Sequence, residues 1–233
     1  MTATLSDTAK RRPRDPEATR EVILEAARTL LAKDGPDAVS LSEVAQLAGV
    51  NRGTAYQHFA TRENLVQATV ESVSDKLFRA VFGDPETIGE RRVEEVDVAA
   101  MTERMGNFAM QNHELGRAWL LQVLASPDPS TDLFWREYSG SLERFAASDL
   151  AAPGVDAEVL SVMNLAGVFL WPIWAQAHDK DGKGKEELAQ RFTRECLRLS
   201  MYGSMKAVAY PTIAQKLGAQ TPDNAQANGS DDH

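Results

Sequence analysis

Helix start and stop signals follow one another at short intervals between Asp15 and Val66, and they constrain the fold more than any other feature of the chain. Asp15 followed by Pro16 is typical of an N-cap and the first position of a helix, and Gly35 is a stop signal. Between them, apolar residues recur every three or four positions, as on the buried stripe of a helix. The residues of this stripe are Ile23, Ala26, Ala27, Leu30 and Leu31. The pattern predicts one amphipathic helix.

Two shorter helices and then a longer one are predicted directly after it. Ser40 and Glu43 have the spacing of a capping box, and Gly49 would end the helix that they begin. Asn51 is a favourable N-cap for the next helix, and Thr61 is one for a longer helix that would extend to the turn at 83–85. Two short helices joined by a tight glycine turn form a helix-turn-helix.

The helical pattern continues through the rest of the chain, and the fold class is therefore predicted to be all-α. Helices are expected near 91–112, 115–126, 129–149, 156–179 and 185–209. No segment has the sustained alternation of Val, Ile and Thr that is expected of a strand. Residues 1–14 and 218–233 are expected to be disordered, the latter because it has too little apolar content to fold. This leaves a helix-turn-helix domain at 15–66 and a helical domain at 67–217.

Charge is unevenly distributed along the sequence. The chain has a net charge of −9, yet residues 1–65 contain nine basic and nine acidic residues. The other residues, with 16 basic and 25 acidic side chains, carry the whole excess. Four basic residues stand together in "KRRPR", Lys10–Arg14. Such a run suggests the hypothesis that this segment binds an anion, and the alternative is a solvated tail that aids solubility.

Several signals indicate the compartment. The first twenty residues are polar and lack the apolar segment of a secretory signal peptide. The longest apolar run, 165–175, has eleven residues, whereas a membrane-spanning helix needs about 20. Cys196 is the single cysteine, which excludes an internal disulfide and a cysteine-based metal site. We therefore expect a cytoplasmic protein that does not span a membrane and has no metal site and no cofactor.

The second short helix, from about Asn51 to Phe59, has one polar side without an acidic residue. Its inward side would be formed by Val50, Ala55 and Phe59. The residues of the polar side and its flanks are Arg52, Gly53, Thr54, Gln57, Tyr56 and His58. Arginine can bond two acceptors of guanine in the DNA major groove, and glutamine can do the same for adenine. Glycine permits close approach, while hydroxyl and imidazole groups suit phosphate oxygens. A three-helix packing unit with a solvated face is the alternative.

The 48 residues "TREVILEAARTLLAKDGPDAVSLSEVAQLAGVNRGTAYQHFATRENLV", Thr19–Val66, closely resemble the DNA-binding domain of tetracycline-repressor (TetR) family regulators. The most specific part is the run of eight residues Arg52, Gly53, Thr54, Ala55, Tyr56, Gln57, His58 and Phe59. The resemblance implies that Tyr56, His58 and Arg62 hold phosphates. It also implies that Arg52, Thr54 and Gln57 meet bases. The chain departs from the family pattern at three positions: Asn51 stands in place of Ser or Thr, Ala55 in place of Leu, and Arg62 in place of Lys.

The family resemblance also implies the biological role. TetR regulators are homodimers that bind an operator in double-stranded DNA, and their helical C-terminal domain dimerises and often encloses a small-molecule effector. We therefore expect a ligand-responsive transcriptional repressor that is not an enzyme. Arg11 and Arg12 of the basic run would add DNA contacts. The helix at 156–179 and the last helix, which has small residues on one side, would form the four-helix bundle of the dimer.

The sequence places its tryptophans and most of its remaining large aromatic and methionine residues in the C-terminal part, where they are candidates for the walls of an apolar ligand pocket. The candidate residues are Met105, Phe108, Trp119, Trp135, Tyr138, Met163, Trp171 and Trp174. Tyr138, Asn164, Gln176 and His178 are the nearest candidates for polar contacts with a ligand. The same residues could equally form a solid helical core. In that case the chain would be a ligand-independent activator or architectural DNA-binding factor, and a helical enzyme is a more remote alternative.

Overall fold

The computed structural model describes residues 15–35, 39–85, 92–180 and 182–216. Within these ranges the chain forms ten α-helices, three short 3₁₀ turns and no strand, which confirms the all-α prediction. The first five helices are α1 (Pro16–Asp34), α2 (Leu41–Leu47), α3 (Arg52–His58), α4 (Arg62–Phe82) and α5 (Val98–Gln111). The other five are α6 (His113–Ala125), α7 (Leu133–Ala146), α8 (Ala157–His178), α9 (Lys185–Gly203) and α10 (Pro211–Lys216). The basic run at 10–14 and the segment 218–233 lie outside the described residues.

Side-chain caps begin the first four helices at the positions that the sequence predicts. Asp15 accepts the backbone N–H of Glu17 at 3.0 Å, and Ser40 accepts that of Glu43 at 3.2 Å. The side chains of Asn51 and Thr61 cap α3 and α4 in the same way. Each cap satisfies a backbone donor that would otherwise have no partner within the helix, so the polar residue fixes where the helix starts.

Three of the later helices are shorter than their apolar pattern suggests. The helix expected from 91 begins only at Val98, because Asp97 accepts the N–H of Ala100 and caps it there. The helix expected from 129 begins at Leu133, where Asp132 is the cap. The helix expected to reach 209 ends at Gly203. After it, the backbone at 204–206 pairs with that at 150–152 and leaves the helical path.

An aromatic cluster lies at the centre of the C-terminal helices. The rings of Trp119 and Phe134 meet edge to face at 5.5 Å, and Trp119 also packs against Phe169 at 5.2 Å. The indole N–H of Trp119 donates to Asp132 at 2.9 Å. Asp132 also accepts the hydroxyl of Ser74 at 2.8 Å, which joins α4 to α6 and α7. The packing is therefore apolar around one small polar junction.

Helix α8 has the length and composition of a membrane-spanning helix, since it comprises 22 residues and its most apolar window of 18 residues has a mean hydropathy of 1.4. This segment is longer than the run of eleven consecutive apolar residues, because apolar residues also stand before that run, between Ala157 and Met163. Core helices of soluble proteins have the same property, and α8 packs against α5, α6, α7 and α9. Only 28% of its most apolar window is buried in the single chain, so much of its apolar surface faces outward. The helix continues through Pro172.

The closest helix packing in this region occurs between α6 and α8 at Gly116. A Cβ atom placed on Gly116 would lie 2.4 Å from Cδ1 and 2.7 Å from Cε1 of Phe169, whose ring is fully buried. Carbon atoms do not approach so closely without repulsion. The absence of a side chain at Gly116 is therefore what lets the Phe169 ring lie against the backbone of α6.

We expect Gly116→Ala to destabilise the protein by about 1–3 kcal/mol, because a methyl group would overpack a rigid part of the core. Gly140→Ala is the matched control: its Cβ would approach only the flexible guanidinium of Arg144, at 3.4 Å. In the control, the higher helix propensity of alanine should stabilise α7 by up to about 1 kcal/mol. Urea unfolding at equal protein concentration measures both changes. Equal stability of the two variants would contradict this account of the packing.

Candidate nucleic-acid interface and internal cavity

Helices α2 and α3 form a helix-turn-helix whose second helix exposes the predicted polar side. Gly49 adopts a φ of 65°, which allows the chain to turn sharply between the two helices. Ala55 is fully buried and Phe59 is 4% exposed, so the inward side of α3 is the predicted one. Arg52, Gly53 and Gln57 are exposed on its outer side. This helix of seven residues therefore presents the side chains of Arg52, Tyr56 and Gln57 outward, and none of the seven residues carries a carboxylate.

The N-terminus of α3 is held by Asn51. Its side-chain oxygen accepts the backbone N–H of Thr54 at 2.7 Å and the hydroxyl of Thr54 at 3.0 Å. A Cβ on Gly53 would lie 3.3 Å from the same oxygen, so a side chain there would press on the cap. Thr54 is half-buried and its hydroxyl proton is occupied by Asn51, which leaves it as an acceptor for a neighbouring donor. Asn51 thus fills the capping role that Ser or Thr has in the family pattern.

Arg52 and Tyr56 form a pair on the exposed surface of α3. The guanidinium carbon of Arg52 lies 5.4 Å from the centre of the Tyr56 ring, and one of its NH groups donates to the tyrosine hydroxyl at 3.3 Å. Tyr56 is 42% exposed, so the pair is open to solvent. Stacking on the ring limits the conformations of the arginine, and its guanidinium keeps further N–H donors for a ligand.

Arg62, at the first position of α4, is also tied to the helix-turn-helix domain itself. Its Nε donates to the backbone oxygen of Val39 at 2.9 Å, and one NH group lies 3.9 Å from Glu63. Its side chain is 40% exposed. The arginine therefore joins α4 to the segment before α2 while it adds positive charge at the surface. His58 is half-buried beside Phe59, with the two ring centres 6.5 Å apart.

A cavity of about 370 Å³ lies in the C-terminal part, between the end of α4 and helices α5, α7, α8 and α9. Its apolar wall includes Phe82, Met101, Met105, Phe145 and Val168. Charged lining residues are exposed or half-buried, so the charges lie towards its outer side. A cavity of this size and composition is typical of a site for a small molecule.

Three neutral polar side chains from three helices meet on the inner side of this cavity: Tyr138 of α7, Asn164 of α8 and Cys196 of α9. The side chain of Asn164 lies beside the hydroxyl of Tyr138 and partly offsets the effect of burial on its pKa. Burial raises the pKa of Tyr138 to about 12 and that of the Cys196 thiol to about 11, because water no longer solvates the charged forms. All three groups are therefore uncharged at neutral pH.

The structure separates the eight residues that the sequence suggested for a pocket. Met105 and Tyr138 line the cavity. Trp119 and Trp135 are packed in the core, while Phe108 faces a different depression between α1 and α6.

The other three lie at or near the outer surface of α8. Met163 is 65% exposed and Trp174 is 53% exposed. The Trp171 ring stacks on Trp174 at 5.6 Å and its N–H donates to the backbone oxygen of Leu188 at 3.1 Å. Of the suggested polar contacts, Asn164 lines the cavity, whereas Gln176 and His178 are exposed. Aromatic content alone does not distinguish core, surface and cavity, because tryptophan is common in all three.

Several cavity residues were not identified from sequence. Val81 and Phe82 come from the last turn of α4, Ser200 comes from α9, and Ser204 is the residue directly after α9. Small residues on α9 were expected to contact a second helix closely, yet these two serines face the cavity. Their spacing of one turn, continuing the line of Cys196, is the signal that could have indicated an inward polar stripe.

Comparisons with known proteins identify the helix-turn-helix. Residues 23–69 match the family described as "Bacterial regulatory proteins, tetR family". The HTH-type transcriptional repressor Rv3405c of Mycobacterium tuberculosis is 33% identical over 95 residues, which make up 40% of this chain and 50% of that protein. The chain spans about half the length of the curated relatives that it matches.

Solved structures extend the likeness to the helical body. A γ-butyrolactone receptor described as an ArpA-like protein has a TM-score of 0.58 and 23% identity, over 87% of this chain and 97% of that one. CprB, a TetR-family protein from S. coelicolor A3(2), also has a TM-score of 0.58 and 23% identity, over 88% of this chain and 100% of that one. At this identity the likeness shows a shared fold. The match over residues 23–69 therefore identifies the helix-turn-helix as a DNA-binding domain of the TetR family, and the helical body shares the fold of these solved structures.

Proposed function

We propose that this protein is a homodimeric, cytoplasmic transcriptional repressor that leaves a pseudo-palindromic DNA operator when a small apolar or aromatic ligand occupies its cavity. The observation that carries the proposal is the exposed face of α3, which offers arginine, glutamine and hydroxyl groups without a carboxylate. The TetR family is a family of regulators rather than enzymes. The name "repressor" of the Mycobacterium tuberculosis relative supports repression as the direction of control.

On DNA, the two α3 helices of a dimer would enter successive major grooves, because a two-fold dimer matches a two-fold operator. Arg52, Thr54 and Gln57 would meet bases, while Tyr56, His58 and Arg62 would hold phosphates. Arg11 and Arg12, which lie outside the described residues, would add attraction to the backbone or a minor-groove contact.

The outer face of α8 supports the dimer. Val159, Met163, Leu170 and Trp174 recur at helical spacing on one side, and their exposed fractions are 52%, 65%, 47% and 53%. Such a stripe on a long helix is costly in water and favours burial against a partner. A second copy of the chain would cover it if the two α8 helices packed together beside the two α9 helices.

A ligand-independent activator or architectural factor is the second candidate, and the cavity argues against it. Ligand binding would act by favouring a spacing of the α3 helices that does not match the grooves. A difference in ligand affinity between the two spacings of about 1–3 kcal/mol is typical for such coupling.

We expect Arg52→Ala to weaken operator binding by about 1–3 kcal/mol and to relax preference at one base position, because a bidentate base contact would be lost. Arg136→Ala, which removes an exposed arginine from α7, is the control and should bind as the wild type does. Binding selection from random DNA gives the preference, and fluorescence anisotropy gives the affinity. An Arg52→Ala protein with unchanged base preference would rule out this role.

Arg62 should act on DNA through its charge. We expect Arg62→Gln to weaken binding to operator and to random DNA by similar factors and to reduce the salt slope by about 1, while Arg62→Lys keeps the slope. Both variants lose the guanidinium whose Nε bonds Val39. Thermal melting therefore measures any loss of stability, so that it can be separated from the loss of DNA affinity. If the two variants lost equal affinity with unchanged salt slopes, Arg62 would be a structural residue only.

We expect Met163→Glu and Leu170→Glu to convert the dimer into monomers, because each would place a charge in an apolar interface without a partner. Val22→Glu makes the same kind of change at a residue of α1 that is 49% exposed, and it should leave the dimer intact. Sedimentation velocity over a range of protein concentrations measures the oligomeric state. Dimers of unchanged affinity in both α8 variants would place the interface elsewhere.

A further inference from the structure

We propose that the cavity selects an uncharged ligand of about a dozen non-hydrogen atoms, with an apolar body and one carbonyl or hydroxyl group that hydrogen-bonds to Tyr138 and Asn164. The inference rests on the proposed function for the assumption that the cavity is the effector site. It goes further by naming the residues that recognise the ligand and the ligand's charge.

The volume of the cavity limits the size of the ligand. The cavity volume of about 370 Å³ corresponds to about a dozen water molecules at ~30 Å³ each. An apolar wall formed by side chains such as Met101, Met105 and Val168 favours a hydrocarbon body, since its burial removes apolar surface from water. Three methionines in the wall, Met101, Met105 and Met205, can adapt to different shapes, so the body can vary more than the polar group can.

The inner polar groups set the second limit. Tyr138 is only 2% exposed, and the side chain of Asn164 lies beside its hydroxyl. A phenol and a carboxamide together have more donors and acceptors than one mutual bond uses, so donor and acceptor capacity is left for a ligand. A ketone, lactone or alcohol oxygen would take up this capacity. A purely hydrocarbon ligand would displace water from these groups and leave their remaining hydrogen bonds unmade.

The charges of the lining residues limit the charge that the ligand can carry. The lining arginines are already engaged: Nε of Arg104 donates to the backbone oxygen of Val81 at 3.0 Å, and Arg144 bonds Glu137 at 3.0 Å. Both arginines are exposed, towards the outer side. The inner groups Tyr138, Asn164 and Cys196 carry no charge at neutral pH, because burial raises the pKa of Tyr138 and of Cys196.

A carboxylate or ammonium group at Tyr138 would therefore lose its hydration without meeting an opposite charge. Glu95 and Asp97, which are exposed lining residues, add negative charge at the outer side and further disfavour an anion. The charged group of such a ligand would instead have to stay near the opening of the cavity. A short ligand held there could not also fill the inner part of the cavity.

The test compares four ten-carbon probes on the purified full-length protein by isothermal titration calorimetry: 2-decanone, 1-decanol, decanoate and decylammonium. They share a chain that fits the volume and differ in the end group. We expect the ketone and the alcohol to bind at least about tenfold more tightly than either ion. Equal or tighter binding of decanoate or decylammonium, or failure of all four probes to bind, would overturn the inference.

Two variants test the named residues. Tyr138→Phe and Asn164→Leu should each weaken ketone binding by about three- to tenfold, the effect of one buried hydrogen bond. Tyr202→Phe removes the same hydroxyl from an α9 tyrosine that is 69% exposed, and it should leave binding unchanged. Circular dichroism and melting temperature confirm folding of each variant. Wild-type ketone affinity in a folded Tyr138→Phe protein would overturn the role of Tyr138.

Operator release is measured separately by anisotropy of labelled DNA. If the ketone binds as expected but the operator stays bound, the ligand class is supported and the ligand-responsive function is contradicted. If decanoate binds tightly and releases the operator, the proposed function holds and the inference on ligand class is wrong.

Discussion

The arrangement of the whole chain depends on α4, one unbroken helix of 21 residues that belongs to both parts of the structure. Its first turn is held to the helix-turn-helix by the bond from Nε of Arg62 to the backbone oxygen of Val39. Its last turn is held to α5 by the bond from Nε of Arg104 to the backbone oxygen of Val81. Because a guanidinium bonds a backbone oxygen at each end, each end of α4 moves together with its bonded partner unless a charge-assisted hydrogen bond breaks.

The middle of α4 is fixed in a similar way. Arg28 of α1 is only 3% exposed, and it bonds Glu21 and Glu25 of its own helix and the hydroxyl of Ser72 of α4 at 2.8 Å. A buried cation needs such partners, because its hydration is lost. Two residues further on, Ser74 bonds Asp132, the cap of α7. The charges therefore order α1 and α7 around α4, while apolar packing supplies the bulk of the stability.

Local and distant interactions explain which features could be predicted from sequence. The caps Asp15, Ser40 and Asn51 act within three residues along the chain, so a capping residue and its spacing suffice to predict them. The exposed face of α3 follows from periodicity for the same reason. The full lining of the cavity could not be predicted, because residues such as Tyr138 and Ser200 come together there only through the packing of separate helices. Trp119 was an equally suitable candidate for the pocket wall. In the structure its N–H donates to Asp132, thirteen residues away, and its ring is buried in the core.

The same helix gives the proposed regulation a physical route. Val81 and Phe82 line the cavity at one end of α4, and Arg62 lies at the other, about 30 Å away at 1.5 Å per residue. A ligand that displaces the last turn by a small amount must either bend a continuous helix or tilt it about its contacts in the middle. Tilting is less costly, since it breaks no hydrogen bond within α4, and it moves the first turn together with Val39 and the segment that leads into α2. An apolar ligand needs no contact with DNA-binding residues to change their position, because the required coupling of about 1–3 kcal/mol is comparable to burying a single apolar side chain.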